Sequence, residues 1–84
     1  MHLADPRFWR RLEELPETVR QTVRRNFELL KANPRHPSLR FRNVGRYWSA
    51  RVGASYRAVA VQDGDDFIWF WIGDHDEYLR VIRR

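Results

Sequence analysis

The amino-acid sequence predicts an α+β fold: a helical hairpin, then a mostly antiparallel sheet of about four strands, then a short C-terminal helix. Three observations carry that expectation. Apolar residues recur at helical spacing as far as Leu30, the period drops to two from Leu39 onward, and glycine-containing turns divide the second region into short runs. With 84 residues there is room for one core, because a domain of this size buries only roughly 60–65% of its unfolded surface. Residues 1–84 are therefore read as a single domain, without repeats, low-complexity tracts or linkers.

Asp5-Pro6 reads as an N-cap followed by the first helical residue, since proline there has no needed amide to lose. Phe8, Leu12 and Leu15 follow at helical spacing, and Pro16 closes or bends this helix. The same proline opens a second helix. Its apolar stripe is Val19, Val23, Phe27 and Leu30, with Arg20, Arg24 and Glu28 off it, and Asn33-Pro34 ends it. Pro34 and Pro37 bracket a loop at Arg35-His36-Pro37. Beyond it, LRFRNVGRYWSARVGASYRAVAVQDGDDFIWFWI reads as four strands, with DGDD, Asp63 to Asp66, as a hairpin turn. Phe67 to Ile72 is apolar on both faces, as suits a central strand covered on each side. After Gly73 a final helix carries Leu79 and Ile82, with Arg80, Arg83 and Arg84 near its C-terminal end, where cations suit the dipole. Met1 to Asp5 is too short to be read as a strand.

Gly53-Ala54-Ser55, read as a three-residue hairpin loop, fixes the pairing beside it: Val52 opposes Tyr56, Trp48 opposes Ala60, and Arg51 opposes Arg57. One face then holds Trp48, Ala50, Val52, Tyr56, Ala58 and Ala60, a large-against-small set suited to packing under helices. The other holds Tyr47, Ser49, Arg51, Arg57, Val59 and Val61. Like charges opposed across a ladder destabilise it, so a carboxylate or an anion, phosphate above all, is expected between or above them. The same residues admit a plainer arrangement, in which one arginine pairs with Asp74, Asp76 or Glu77, or a bulge separates the two.

The net charge of +5 is unevenly spread, because no acid occurs between Leu29 and Gln62. That window holds Lys31, Arg35, Arg40, Arg42, Arg46, Arg51 and Arg57, a basic middle able to attract a polyanion or an acidic protein. Arginine supplies 15 of the 16 cationic side chains. Guanidinium forks bind phosphate in pairs and stack on bases, so the bias favours nucleic acid, although a genome rich in arginine codons gives the same composition. There is no cysteine, so neither a disulfide framework nor a thiolate metal site can form. No apolar run has the length of a signal peptide or membrane span, and a soluble, cytoplasmic protein is the expectation.

WIGDHDEY, Trp71 to Tyr78, concentrates the remaining chemistry. Asp74 and Glu77, three apart, are the aspartate form of a capping box. His75 and Tyr78 then share a face of the first turn, near free backbone N–H groups, where an imidazole and a phenol can flank one phosphate. The bland alternative is an exposed histidine and a tyrosine packed on the sheet rim. No metal or other cofactor is expected, because Asp74, His75 and Asp76 diverge around a helix start and no second histidine is near in sequence.

The helical hairpin, then YWSARVGASYRAVAVQDGDDFIWFWIG, then HDEY and a short helix together resemble the RelE/ParE superfamily of small toxins from bacterial toxin–antitoxin pairs. The resemblance spans about Phe8 to Ile82. It implies a small twisted antiparallel sheet with helices packed on one face, and a cognate antitoxin as partner. RelE-like members cut mRNA on the ribosome without metal, driving the ribose 2′-hydroxyl onto the neighbouring phosphate; ParE-like members poison DNA gyrase. By this resemblance Arg57 matches the arginine opening the strand after the hairpin loop, and Arg51 a basic position on the strand before it. His75 and Tyr78 fall where the RNA-cleaving branch keeps basic, His or Tyr residues. The implied roles are charge neutralisation for Arg51 and Arg57, proton transfer for His75, and orientation or base stacking for Tyr78. Arg40, Arg42, Arg46 and Tyr47 are the expected RNA-binding residues. Ser49 stands where some relatives have lysine, and the usual first strand is not readable here. A gyrase inhibitor, or an inactive antitoxin-binding relative, is the alternative.

Overall fold

Asp5 starts the first helix as its side chain dictates: its Oδ1 accepts the Arg7 N–H at 2.8 Å, and α1 runs Pro6–Glu13. In the computed structural model residues 1–83 are described, so Arg84, expected near the final helix end, lies outside the described residues. Pro16 precedes α2, Glu17–Ala32, which closes with the Asn33 N–H on the Leu29 carbonyl at 2.7 Å. Leu15, expected on the first helix, falls in the turn between the two. Phe8 and Leu12 from α1 and Val23 and Leu30 from α2 are all buried in one cluster with the sheet, so each helix packs on strands more than on the other.

Five strands make one sheet: β1 (His2–Ala4), β2 (Arg42–Val44), β3 (Tyr47–Val52), β4 (Tyr56–Asp63) and β5 (Asp66–Asp74), in the spatial order β1-β5-β4-β3-β2. β1 corrects the expectation of about four antiparallel strands. It runs parallel to β5, with His2 opposite Phe67 and Ala4 opposite Trp69. Three residues carry no readable period, and long-range contacts hold them. Phe67 N–H donates to the Met1 carbonyl and Asp5 N–H to the Trp69 carbonyl, both at 2.8 Å, while the Met1 ammonium reaches Asp65 O at 2.9 Å and Asp66 at 3.3 Å. The His2 ring stacks on Phe67 with centroids 5.0 Å apart, and its Nδ1 accepts the Trp69 indole N–H at 3.1 Å. A second correction concerns Leu39, which lies in a 3-10 turn, Pro37–Leu39, rather than opening a strand, and is fully buried there.

The β3–β4 hairpin has the expected register: Trp48 opposite Ala60, Arg51 opposite Arg57, Val52 opposite Tyr56. Gly53 takes φ +61° at the turn, a conformation that costs a side-chain-bearing residue free energy. Ala50, Val52, Ala58 and Ala60 lie in the helix-facing core, with Trp48 and Tyr56 packed against it. β5 is central, between β1 and β4, as its two apolar faces suggested.

A bulge between β4 and β5 was not anticipated. Val59 opposes Trp71 while Ala60 opposes Trp69, which leaves Phe70 as the extra residue on β5. Phe70 and Trp71, though consecutive, thereby both join the apolar cluster of Val59 and Tyr78. That cluster is the floor for α3, His75–Ile82, which packs Tyr78, Leu79, Val81 and Ile82 on it. Helices therefore occupy both faces of the sheet rather than one, because the bulge gives the second face apolar surface to cover.

Candidate functional site: a basic face beside Tyr78

The register sets the site. Arg51, Arg57 and Gly73 lie in one row across β3, β4 and β5; the next row carries Arg42, Ser49, Val59 and Trp71. Because Gly73 has no side chain, the Trp71 indole lies over it: a Cβ there would stand 2.6 Å from Trp71 Cη2 and Cζ2. The indole thus walls the row beside Arg57.

Neither plainer arrangement of the arginines occurs. The bulge lies between β4 and β5, not between β3 and β4, so Arg51 and Arg57 stay opposed. Among the described residues Arg40, Arg42, Arg51 and Arg57 form no ion pair. Arg51 Nε donates to the Gly53 carbonyl at 2.9 Å. Glu77 goes elsewhere: its carboxylate meets Arg11 at 3.5 Å, and Arg11 Nε donates to the Ile72 carbonyl at 2.8 Å. Burial holds the Arg57 guanidinium below its ordinary range, Tyr78 pulls the other way, and the cations Arg51, Arg40 and Arg42 add to the lowering. Arginine still carries its proton at neutral pH, so the result is a concentrated, partly desolvated positive charge.

Tyr78 is 3% exposed, and its Oη has no hydrogen-bond partner among the described residues. His75 is exposed at the start of α3, with its ring centroid 5.9 Å from that of Tyr78. Its backbone N–H donates to the Ser55 carbonyl at 3.2 Å, tying α3 to the β3–β4 turn. Asp74 caps the helix through the Glu77 N–H at 2.9 Å, but Glu77 is paired with Arg11, so only half of the expected capping box forms. Among the described residues no three His, Asp or Glu side chains gather where they could hold one ion.

The structure thus brings Arg51, Arg57 and Tyr78 together, with Arg40 and Arg42 near and His75 on the rim. Arg40 reaches this position from the left-handed region, φ 45° and ψ 43°, as it leaves the 3-10 turn. Arg46 sits at the β2–β3 turn, its guanidinium carbon 5.9 Å from the Tyr47 ring, and Tyr47 packs against the cluster of Val59, Trp71 and Tyr78. Trp71 and Gly73 were not anticipated as parts of the site. Their only signal was a glycine two residues after a tryptophan on an apolar strand.

This architecture has a solved counterpart. A crystal structure of the isolated E. coli RelE toxin, P21 form, superimposes with a TM-score of 0.62 at 17% identity, covering 100% of this chain and 96% of that one. The chain therefore shares the fold of that RelE structure. No protein-family model matches it, and no curated protein matches it in sequence. Among the described residues no helix is long and apolar enough to cross a membrane.

Proposed function

We propose that the protein is the toxin of a type II toxin–antitoxin system and that it cuts mRNA on the ribosome in the cytoplasm. The supporting observation is the incompleteness of the site: among the described residues the buried Tyr78 hydroxyl beside Arg57 has no partner, and the arginines around it pair with no carboxylate. A buried hydroxyl left unpaired costs about 1–3 kcal/mol, and opposed cations add up to about 1 kcal/mol more. An incoming phosphate answers the opposed cations.

In the reaction the ribose 2′-oxygen bonds to phosphorus and the phosphorus–O5′ bond breaks, leaving a 2′,3′-cyclic phosphate and a 5′-hydroxyl. The intermediate phosphorane carries an extra negative charge, which Arg51 and Arg57 neutralise. Tyr78, buried beside Arg57, acts by orienting that guanidinium; its burial removes base stacking as a role. Neutral His75 takes the 2′-hydroxyl proton and, as imidazolium, returns one to the departing O5′. Arg40 and Arg42 hold adjoining phosphates. An antitoxin with acidic and apolar residues covers this face, and its affinity falls with added salt.

The experiment is induction in cells with RNA ends mapped by primer extension. Wild type gives new ends within translated messages, and His75→Ala and Tyr78→Phe remove them. Intact messages with broken DNA and a supercoiling defect identify a gyrase poison instead.

A further inference from the structure

The β5 bulge does more than seat α3. Phe70 and Trp71 floor a groove of about 380 Å³, walled by Arg11 on one side and by Glu77, Arg80 and Val81 on the other. Each aromatic carries an α1 arginine: Arg7 lies 5.6 Å from the Phe70 ring centroid and Arg11 4.9 Å from that of Trp71. Phe70 also approaches Tyr47, centroids 5.9 Å apart, and the Arg46 guanidinium carbon lies 5.9 Å from the Tyr47 ring centroid. Two neighbouring rings, Phe70 and Tyr47, are therefore flanked by a cation at each end, Arg7 and Arg46. Both Phe70 and Tyr47 are only half-buried.

We propose that this groove is a second RNA subsite, holding one unpaired base of a single strand next to the cleaved phosphate, with Phe70 as the stacking platform. The inference rests on the RNA-cleaving reading above for the presence of RNA on this face. Three properties select the occupant. The volume falls in the range of small-molecule sites and accommodates a planar base. Half-buried aromatics flanked by arginines match what an unpaired strand offers, stacking faces and a phosphate at every step, whereas a duplex keeps its bases stacked on each other. The charge is complementary: Arg7, Arg46 and Arg80 are exposed, and Glu77, the only carboxylate lining the groove among the described residues, is already paired with Arg11. The Trp71 indole spans Gly73 toward Arg57, so groove and basic row share one wall. An acidic peptide would satisfy the arginines but would leave the rings without partners.

Purified protein is titrated into fluorescein-labelled oligoadenylate, and separately into labelled inorganic polyphosphate, with anisotropy as the readout. Phe70→Leu keeps the apolar cover and removes the ring; it should weaken oligoadenylate binding about tenfold and leave polyphosphate unchanged. Phe70→Tyr keeps the ring and should bind oligoadenylate as wild type does. Arg46→Ala, at an exposed turn, leaves the core intact and should lower the salt dependence of oligoadenylate binding by about one phosphate contact. Equal loss of both ligands in Phe70→Leu, or undiminished oligoadenylate binding, overturns the subsite and points to general electrostatics or an acidic protein partner. A wild type that binds oligoadenylate through Phe70 yet cuts no message keeps the subsite and defeats the nuclease reading. Message cutting with ring-independent binding does the reverse.

Discussion

Arg51 and Arg57 stand directly opposite each other across β3 and β4, and no described carboxylate pairs with either. Such an arrangement works against the fold and for an anion. Arg51→Thr replaces one charge with a good strand former, so it should raise folding stability by up to about 1 kcal/mol while lowering RNA cleavage by about a hundredfold. Urea unfolding and RNA-end mapping on the same variant check both. A variant that is less stable and fully active contradicts the assignment.

Tyr78→Phe separates stability from function at the other pole of the site. It deletes a buried hydroxyl that lacks a partner and keeps the ring that packs on Val59 and Trp71. Stability should hold or rise by about 1 kcal/mol, since no hydrogen bond is lost. Cleavage should fall sharply. A drop in stability of that size would mean the hydroxyl is satisfied in the free protein.

Gly73→Ala tests the wall beside Arg57. The added methyl meets the Trp71 indole at 2.6 Å, so the indole must move or the strand must shift. Overpacking of this kind costs about 1–3 kcal/mol. A lowered denaturant midpoint with changed tryptophan fluorescence is the expected result; an unaltered midpoint would show that the indole has somewhere else to go.

The His2 ring predicts a pH dependence. Burial first, and the Met1 ammonium second, hold it below its ordinary 6.5, so the neutral ring is the native form. Above pH 6.5 neither folded nor unfolded chain takes a proton there, and that stability is fully present. As pH falls below 6.5 the unfolded chain protonates while the native ring resists, so stability declines until the lower native value is passed. Protonation also fills the Nδ1 that accepts the Trp69 indole N–H. Thermal midpoints in mildly acid buffer should drop for wild type and drop less for His2→Gln. Faster exchange of the Phe67 amide, which bonds to the Met1 carbonyl, should accompany the drop.

What could be read in advance was what local chemistry determines. Asp5, Pro6 and Asn33 mark helix ends through their own backbone and side-chain preferences. Gly53-Ala54-Ser55 fixes a register by its length, and with it the facing of Arg51 and Arg57. β1 was illegible because His2–Ala4 becomes a strand only through Phe67, Trp69 and Asp66, more than sixty residues away in sequence. The bulge was illegible for a different reason: in a run apolar on both faces, an extra residue breaks no alternation. Consequently Phe70 and Trp71 gave no sign that they share a face. The pairing of Glu77 with Arg11, which leaves the capping box half formed, joins α1 to α3 and likewise has no local signature.

The turn between Asn33 and His36 divides two kinds of labour. Before it lie β1, α1 and α2, whose buried Phe8, Leu12, Val23 and Leu30 have nothing to cover but the sheet; after it lies every residue of the basic row, from Arg40 to Tyr78. Arg11 crosses the divide to stack on Trp71 and to hold Glu77. Neither piece can close a core of its own. Opened at this turn, the fold becomes a two-key lock, with reactive groups on one key and the body that holds them in shape on the other.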